Sequence, residues 1–136
     1  MESTNGFRGY IASRNIGGNV IPQRVQNLVI RSYAQGRSLS FLLSATEYYI
    51  DNCFMTLDAL LEAPEGQLSG IIFYSMHMLP EDRFLRRHVY ERTLNVGRQL
   101  HFALEEMLIT SHDDVYAIED IMLCKSLAVH ELKIFE

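Results

Sequence analysis

Short apolar runs alternate along this chain with stretches whose apolar residues recur at helical spacing. Gly9-Tyr10-Ile11-Ala12-Ser13 is a brief apolar run ended by polar residues and predicts a first strand. Asn15-Ile16-Gly17-Gly18-Asn19 reads as a turn. Pro22 then suits the first position of a helix in which Val25, Leu28, Val29 and Tyr33 share a face until Gly36 stops it. Leu39-Ser40-Phe41-Leu42-Leu43 predicts a second strand, closing on Ser44-Ala45-Thr46-Glu47. The spacing of Phe54, Leu57, Leu60 and Leu61 predicts a helix over 53–63, with Asp51 near its cap and Pro64-Glu65-Gly66 breaking it. Gly70-Ile71-Ile72-Phe73-Tyr74 is the most hydrophobic run and predicts the central strand. A third helix opens at Pro80-Glu81-Asp82, with acids where the helix dipole favours them, and turns Phe84, Leu85, Val89 and Val96 inward before Gly97. Leu100-His101-Phe102-Ala103-Leu104 predicts a fourth strand. Ser111-His112-Asp113-Asp114, a capping box with Asp for the usual Glu, opens a long last helix with Val115, Ile118, Met122 and Val129 along one side.

Strands separated by helix-length crossovers imply a parallel sheet. The expected architecture is one α/β domain over residues 1–136. It has a mostly parallel four-stranded sheet flanked by helices in three layers, a long C-terminal helix, and residues 1–7 as a flexible N-terminal segment. A length of 136 residues, 48% hydrophobic and 21% charged, fits one globular domain and excludes a disordered chain. The net charge of −5 repels phosphate backbones, so no nucleic-acid partner is expected. The one basic stripe, Arg83, Arg86, Arg87 and Arg92 on the third helix, reads as solvated surface. No apolar run reaches the roughly 18 residues of a membrane span, and the polar N-terminus lacks the apolar region of a signal peptide. Cys53 and Cys124 lie on apolar helical stretches and read as reduced thiols, so the expected location is cytoplasmic.

In an open parallel sheet, ligands bind outside the carboxyl ends of the strands, where strand order reverses. The four strand ends nominate one polar set: Ser13, Arg14 and Asn15; Ser44, Thr46 and Glu47; Tyr74, Ser75 and His77; His101 and Glu105. Within it Ser13, Glu47, His77 and His101 are the candidate catalytic residues, since a serine can attack, and a histidine or glutamate can move a proton near neutrality. Arg14, Asn15, Gly17, Gly18, Asn19 and Gln23 form a candidate anion-binding loop ahead of a helix N-terminus. Ser44, Tyr74, Ser75 and Glu105 complete the candidate ligand-binding set. The paired acids Asp113-Asp114 and Glu119-Asp120 lack histidine partners and neither cysteine sits in a C-x-x-C pair, so neither a metal site nor a cofactor is expected.

Several strings occur in an order that resembles the small sporadic carbohydrate cluster proteins of bacterial surface-polysaccharide gene clusters. They are Arg8-Gly-Tyr10-Ile-Ala-Ser13-Arg14, the Gly-Gly-Asn turn, Ile21-Pro-Gln-Arg-Val-Gln-Asn-Leu-Val-Ile-Arg31, Leu43-Ser-Ala-Thr-Glu-Tyr48, Tyr74-Ser75, Asp82-Arg83 and Leu100-His-Phe-Ala-Leu-Glu105. The resemblance implies a pathway and leaves the reaction open. A second resemblance rests on Gly9-Tyr10, the glutamine-containing first helix, Leu68-Ser-Gly-Ile-Ile72, and Gly97 ahead of Leu100-His-Phe102. These are similar to the catalytic domain of serine recombinases, an α/β fold that dimerises through a long C-terminal helix. Its activity does not carry over. Here the order is Ser13-Arg14 rather than arginine before serine, and His77-Met-Leu-Pro-Glu81 replaces the family's arginine-rich stretch.

The sequence thus supports a small enzyme acting on a sugar or phosphorylated-sugar ligand by isomerase, lyase or hydrolase chemistry. The alternative is a non-catalytic accessory protein that binds a pathway enzyme. A homodimer through the C-terminal helix is expected, because that helix offers more apolar surface than a small sheet covers.

Overall fold

The computed structural model describes residues 6–13, 15–47, 53–64 and 66–134, with side chains to residue 128. The α/β class holds, with a fifth strand that the periodicity did not reveal. The strands are β1 (Gly6–Ala12), β2 (Ala45–Glu47), β3 (Leu68–Phe73), β4 (Gln99–Phe102) and β5 (Met107–Ile109). The helices are α1 (Gln23–Gly36), α2 (Met55–Leu61), α3 (Arg83–Leu94) and α4 (His112–Ile134). The sheet order is β2-β1-β3-β4-β5, parallel except for β5. β5 follows β4 through a tight turn in which Glu106 takes φ 56°. Three residues without flanking Gly or Pro give the sequence no signal for it.

β1 begins earlier than its apolar run suggests. Gly6 and Phe7, expected in a flexible segment, pair with β3, and Phe7 is buried. The second strand is displaced the other way. Phe41 makes only an isolated bridge to Phe7, and the regular strand starts at Ala45. Between them the Arg8 side chain donates to the Leu43 carbonyl at 2.9 Å, in place of a strand-to-strand bond.

Right-handed crossovers put α1 on one face and α2 and α3 on the other. Tyr10, Phe73 and Phe102 stack across the α2–α3 face, with ring centroids 5.0 and 5.4 Å apart. On the α1 face, Tyr33 and Phe7 close over His101 in edge-on contacts. The inward sides of α1 and α3 differ from expectation. Gln26, Ile30, Tyr33 and Ala34 are the buried residues of α1, leaving Val25 and Leu28 in solvent; α3 buries Arg86, Val89, Tyr90 and Thr93 and exposes Phe84 and Leu85, and Val96 lies exposed beyond its end.

Buried polar groups explain the shifted faces, because each ties off backbone or another element. Gln26 accepts from Ala12 N and donates to the Ala12 and Ile21 carbonyls, closing the end of β1. Arg86 leaves the expected basic surface stripe to pair in a bidentate fork with Glu119, both contacts 2.8 Å, while Tyr90 donates to the same carboxylate. The guanidinium bonds hold the Glu119 carboxyl below its ordinary range and dock α4 beside α3. Asp114 completes half of the expected capping box by accepting from Ser111 N, and it also takes Thr110 N, so its carboxyl titrates low.

β3 and β4 approach so closely at Gly70 that a Cβ there would drive into the Gln99 carbonyl. Gly70→Ala is therefore expected to cost about 2–4 kcal/mol by separating the two central strands. Gly36→Ala, with open space around it, is expected to shift stability by less than about 1 kcal/mol. Urea unfolding midpoints of the two variants check the contrast.

Candidate functional site

β3 delivers the chain into a closed turn. Tyr74 N still bonds the Tyr10 carbonyl, and Ser75 then leads into a short 3₁₀ turn, Met76–Met78. The Ser75 hydroxyl donates to Glu105 Oε2 at 2.7 Å and accepts from His77 N at 3.1 Å. The other Glu105 oxygen accepts from Met76 N at 3.0 Å. These bonds pin the end of β3 to the loop after β4. They also occupy both carboxylate oxygens and leave Ser75 fully buried. Ser75 and Glu105, expected as ligand contacts, thus shape the turn. What the turn presents is the half-buried imidazole of His77, whose Nδ1 is buried and has no hydrogen-bond partner among the described residues.

The turn after β1 meets it. Ile16 and Asn19 exchange backbone hydrogen bonds of 2.7 and 3.1 Å, while Gly17 and Gly18 take φ of 59° and 92°. Two successive left-handed residues make a tight primed turn, and its own bonds leave the Gly17 and Gly18 N–H groups unused. A Cβ on Gly17 would stand 3.3 Å from His77 Cδ2 and 3.6 Å from Lys125 Nζ. The glycine therefore lets an imidazole and an ammonium converge on one point. β1 and β3 are neighbours although β2 lies between them in the chain, so this point is where strand order reverses.

Lys125 was not among the residues nominated from sequence, yet a signal for it exists. Val115, Ile118 and Met122 lean on the body of the protein, and the next position in the same three-four-three spacing is Lys125. A charge falls at the next position of that spacing, where α4 becomes exposed.

Burial lowers the His77 pKa first, the Lys125 cation lowers it further, and Glu105 opposes both. The imidazole is thus biased towards its neutral form, with one nitrogen able to take a proton beside a cation that would steady a negative charge.

No family model and no curated protein matches the chain.

The remaining candidates are dispersed, most of them into structural work. Glu47, only 1% exposed, accepts from Tyr10 Oη at 2.7 Å and from Thr56 N and Leu57 N, so it caps α2 from β2 and has no free face for a substrate. His101 lies within β4 under α1: Tyr33 Oη contacts Nδ1 at 2.6 Å and Gln99 Oε1 contacts Nε2 at 2.9 Å. It is a core histidine. Ser44 precedes β2, away from that strand's carboxyl end, and donates to Asn27. Ser13 makes its contacts with the Glu47 carbonyl. Tyr74 is buried, and Asn15, Asn19 and Gln23 are exposed, with α1 beginning only at Gln23. Arg14 lies outside the described residues. Among the described residues no group of three His, Cys, Asp or Glu is arranged to hold a metal ion, and no helix is long and apolar enough to cross a membrane. A concavity of about 670 Å³ lies elsewhere, between α1 and the β4–β5 turn, lined by Leu28, Tyr33, Arg37, Leu104 and Glu106 among others. Its polar lining is Ser32, Tyr33, Arg37 and Glu106, and among the described residues the buried polar atom without a partner is His77 Nδ1, at the other site.

Two titrations follow from these geometries. Lys125→Gln is expected to raise the His77 pKa and Glu105→Gln to lower it, read from the imidazole resonances by NMR. Burial depresses His101 from 6.5 to about 4, so the native state refuses a proton that the unfolded chain accepts. Its contribution, up to about 3 kcal/mol, is complete above pH 6.5 and is lost as pH falls towards 4. Urea unfolding between pH 7 and 4 should show that slope, flattened in His101→Gln.

Proposed function

We propose that the protein is a small enzyme of carbohydrate biosynthesis, working in the cytoplasm on a sugar or phosphorylated-sugar intermediate. His77 is the residue that moves the proton. The observation that carries this reading is the buried Nδ1 of His77, without a partner among the described residues, beside Lys125 and Gly17 at the point where strand order reverses. The carbohydrate assignment rests on the resemblance to the sporadic carbohydrate cluster proteins. The four parallel strands and long last helix support the recombinase likeness as one of fold, without its activity. An isomerisation or elimination suits the site, because both need a base at one atom and a cation near the charge that develops. Ser75 and Glu105 serve as positioning residues: they hold the His77 backbone and present its ring.

A second reading, an accessory protein that organises a pathway enzyme, is favoured by α4. Beyond Met122 its residues 123–128 are all exposed, Leu123 and Leu127 among them. We assign this apolar surface to a homodimer contact, compatible with either reading. Light scattering should give twice the chain mass of 15.7 kDa, reverting to one chain in Leu123→Glu/Leu127→Glu.

The functional test is complementation of a strain lacking the protein, with carbohydrate output as the readout. His77→Gln is expected to cut output by a factor of roughly 10² or more, as for loss of a general base, and Phe84→Ala to leave it unchanged. Wild-type output from the His77 variant defeats the enzyme reading and leaves the accessory one.

A further inference from the structure

We infer that the substrate carries an oxyanionic group, a phosphate monoester or a carboxylate, seated between the Lys125 ammonium and the outer face of the Gly17–Gly18 turn. The inference rests on the reading of the His77 rim as a site and deepens it.

Three observations carry it. The first is the position of Lys125. It follows Val115, Ile118 and Met122 at the same helical spacing, at the point where α4 leaves the core contact and becomes exposed. The ammonium is brought onto the turn after β1, at 3.6 Å from the Cβ position of Gly17.

The second is that, among the described residues, no acid is paired with this cation. Among the described residues the ion pairs are those of Arg86 with Glu119 and of Arg92 with Asp58 and Glu62, and Lys125 belongs to none. The acid that acts on the neighbouring imidazole, Glu105, has one oxygen taken by the Ser75 hydroxyl and the other by Met76 N. Each of its oxygens thus already accepts one bond that shapes the turn.

The third is the character of the groups that remain. The Ile16–Asn19 bonds close the turn and leave the Gly17 and Gly18 N–H groups outside it, both residues being exposed. Ammonium, N–H and N–H are donors only, and donors with no acceptor among them fit an oxyanion. Gly17 is what makes the approach feasible. Its φ of 59° suits a residue without a side chain, and any Cβ would press on the His77 ring and reach Lys125. With the oxyanion seated there, the His77 ring lies along one side of it and meets the adjoining part of the same molecule. Lys125 thus selects the substrate by charge, and His77 acts on it.

The test is a set of NMR titrations of the full chain with glucose 1-phosphate, glucuronate and glucose, following the Gly17 and Gly18 amides and the His77 ring. The expected result is saturable shifts at those amides with an anionic probe, and weaker binding of glucose. Affinity for the anionic probe should fall about tenfold in Lys125→Gln, be retained in Lys125→Arg, and stay unchanged in Arg83→Gln, a surface control for net charge. Response to both anionic probes assigns a general oxyanion seat, and response to glucose 1-phosphate alone assigns a phosphate seat. Circular dichroism of the variants confirms that they remain folded. If the rim binds all three sugars equally, or if Lys125→Gln binds the anionic probe as tightly as the wild type, the oxyanion seat is overturned while the rim stands as a sugar site. If no probe moves any resonance of the rim, the reading of the site falls with it.

Discussion

Parallel pairing of β1 with β3 is the constraint on which the rest of this structure depends. Two strands separated in sequence by a whole β-α unit lie side by side, so the turns leaving their carboxyl ends must meet. One turn is built from glycines with left-handed backbone, and the other is closed by Ser75 and Glu105; their junction is where an imidazole and an ammonium converge. Had β3 paired elsewhere, Gly17 and His77 would occupy unrelated edges. The close backbone approach at Gly70 keeps the neighbouring β3–β4 ladder equally tight, and β4 brings Glu105 to the same rim.

Most buried polar side chains in the protein serve backbone ends. Glu47 caps the start of α2 and Arg98 closes its end, donating to the carbonyls of Leu61, Ala63 and Pro64. Gln26 ties off β1, and the Arg86–Glu119–Tyr90 cluster fastens α4 to α3. An unmade bond on a buried peptide group costs about 1–3 kcal/mol, so a small domain with short elements recruits polar residues for this work. That demand separates the structural from the chemical members of the rim. Glu47 and His101 have their polar atoms engaged, whereas His77 Nδ1 has no partner among the described residues.

The alternation of short apolar runs and helical periods carried the fold class, the central strand and the long last helix, because burying a sheet between helices imposes those periods on any sequence. The inward faces of α1 and α3 depart from the apolar period because Gln26 and Arg86 occupy core positions that apolarity alone assigns to Val25 and Phe84. The second strand starts later than its apolar run because the segment around Phe41 is joined to β1 by a single bridge. Of the rim, His77 and the Gly17–Gly18 turn were legible as polar or flexible residues following a strand. Lys125 was written in the sequence as a charge interrupting an apolar stripe, a signal with meaning only once the surface opposite that stripe is known.

What the chain alone determined is therefore local: where it is apolar, with which period, and where it turns. Those properties depend on neighbours a few residues away. The tertiary structure decided which polar groups are spent on peptide ends and which keep a free lone pair. That depends on partners such as Ser75 and Glu105, thirty residues apart, or Gly17 and Lys125, on turns and helices that only the order of the strands brings together.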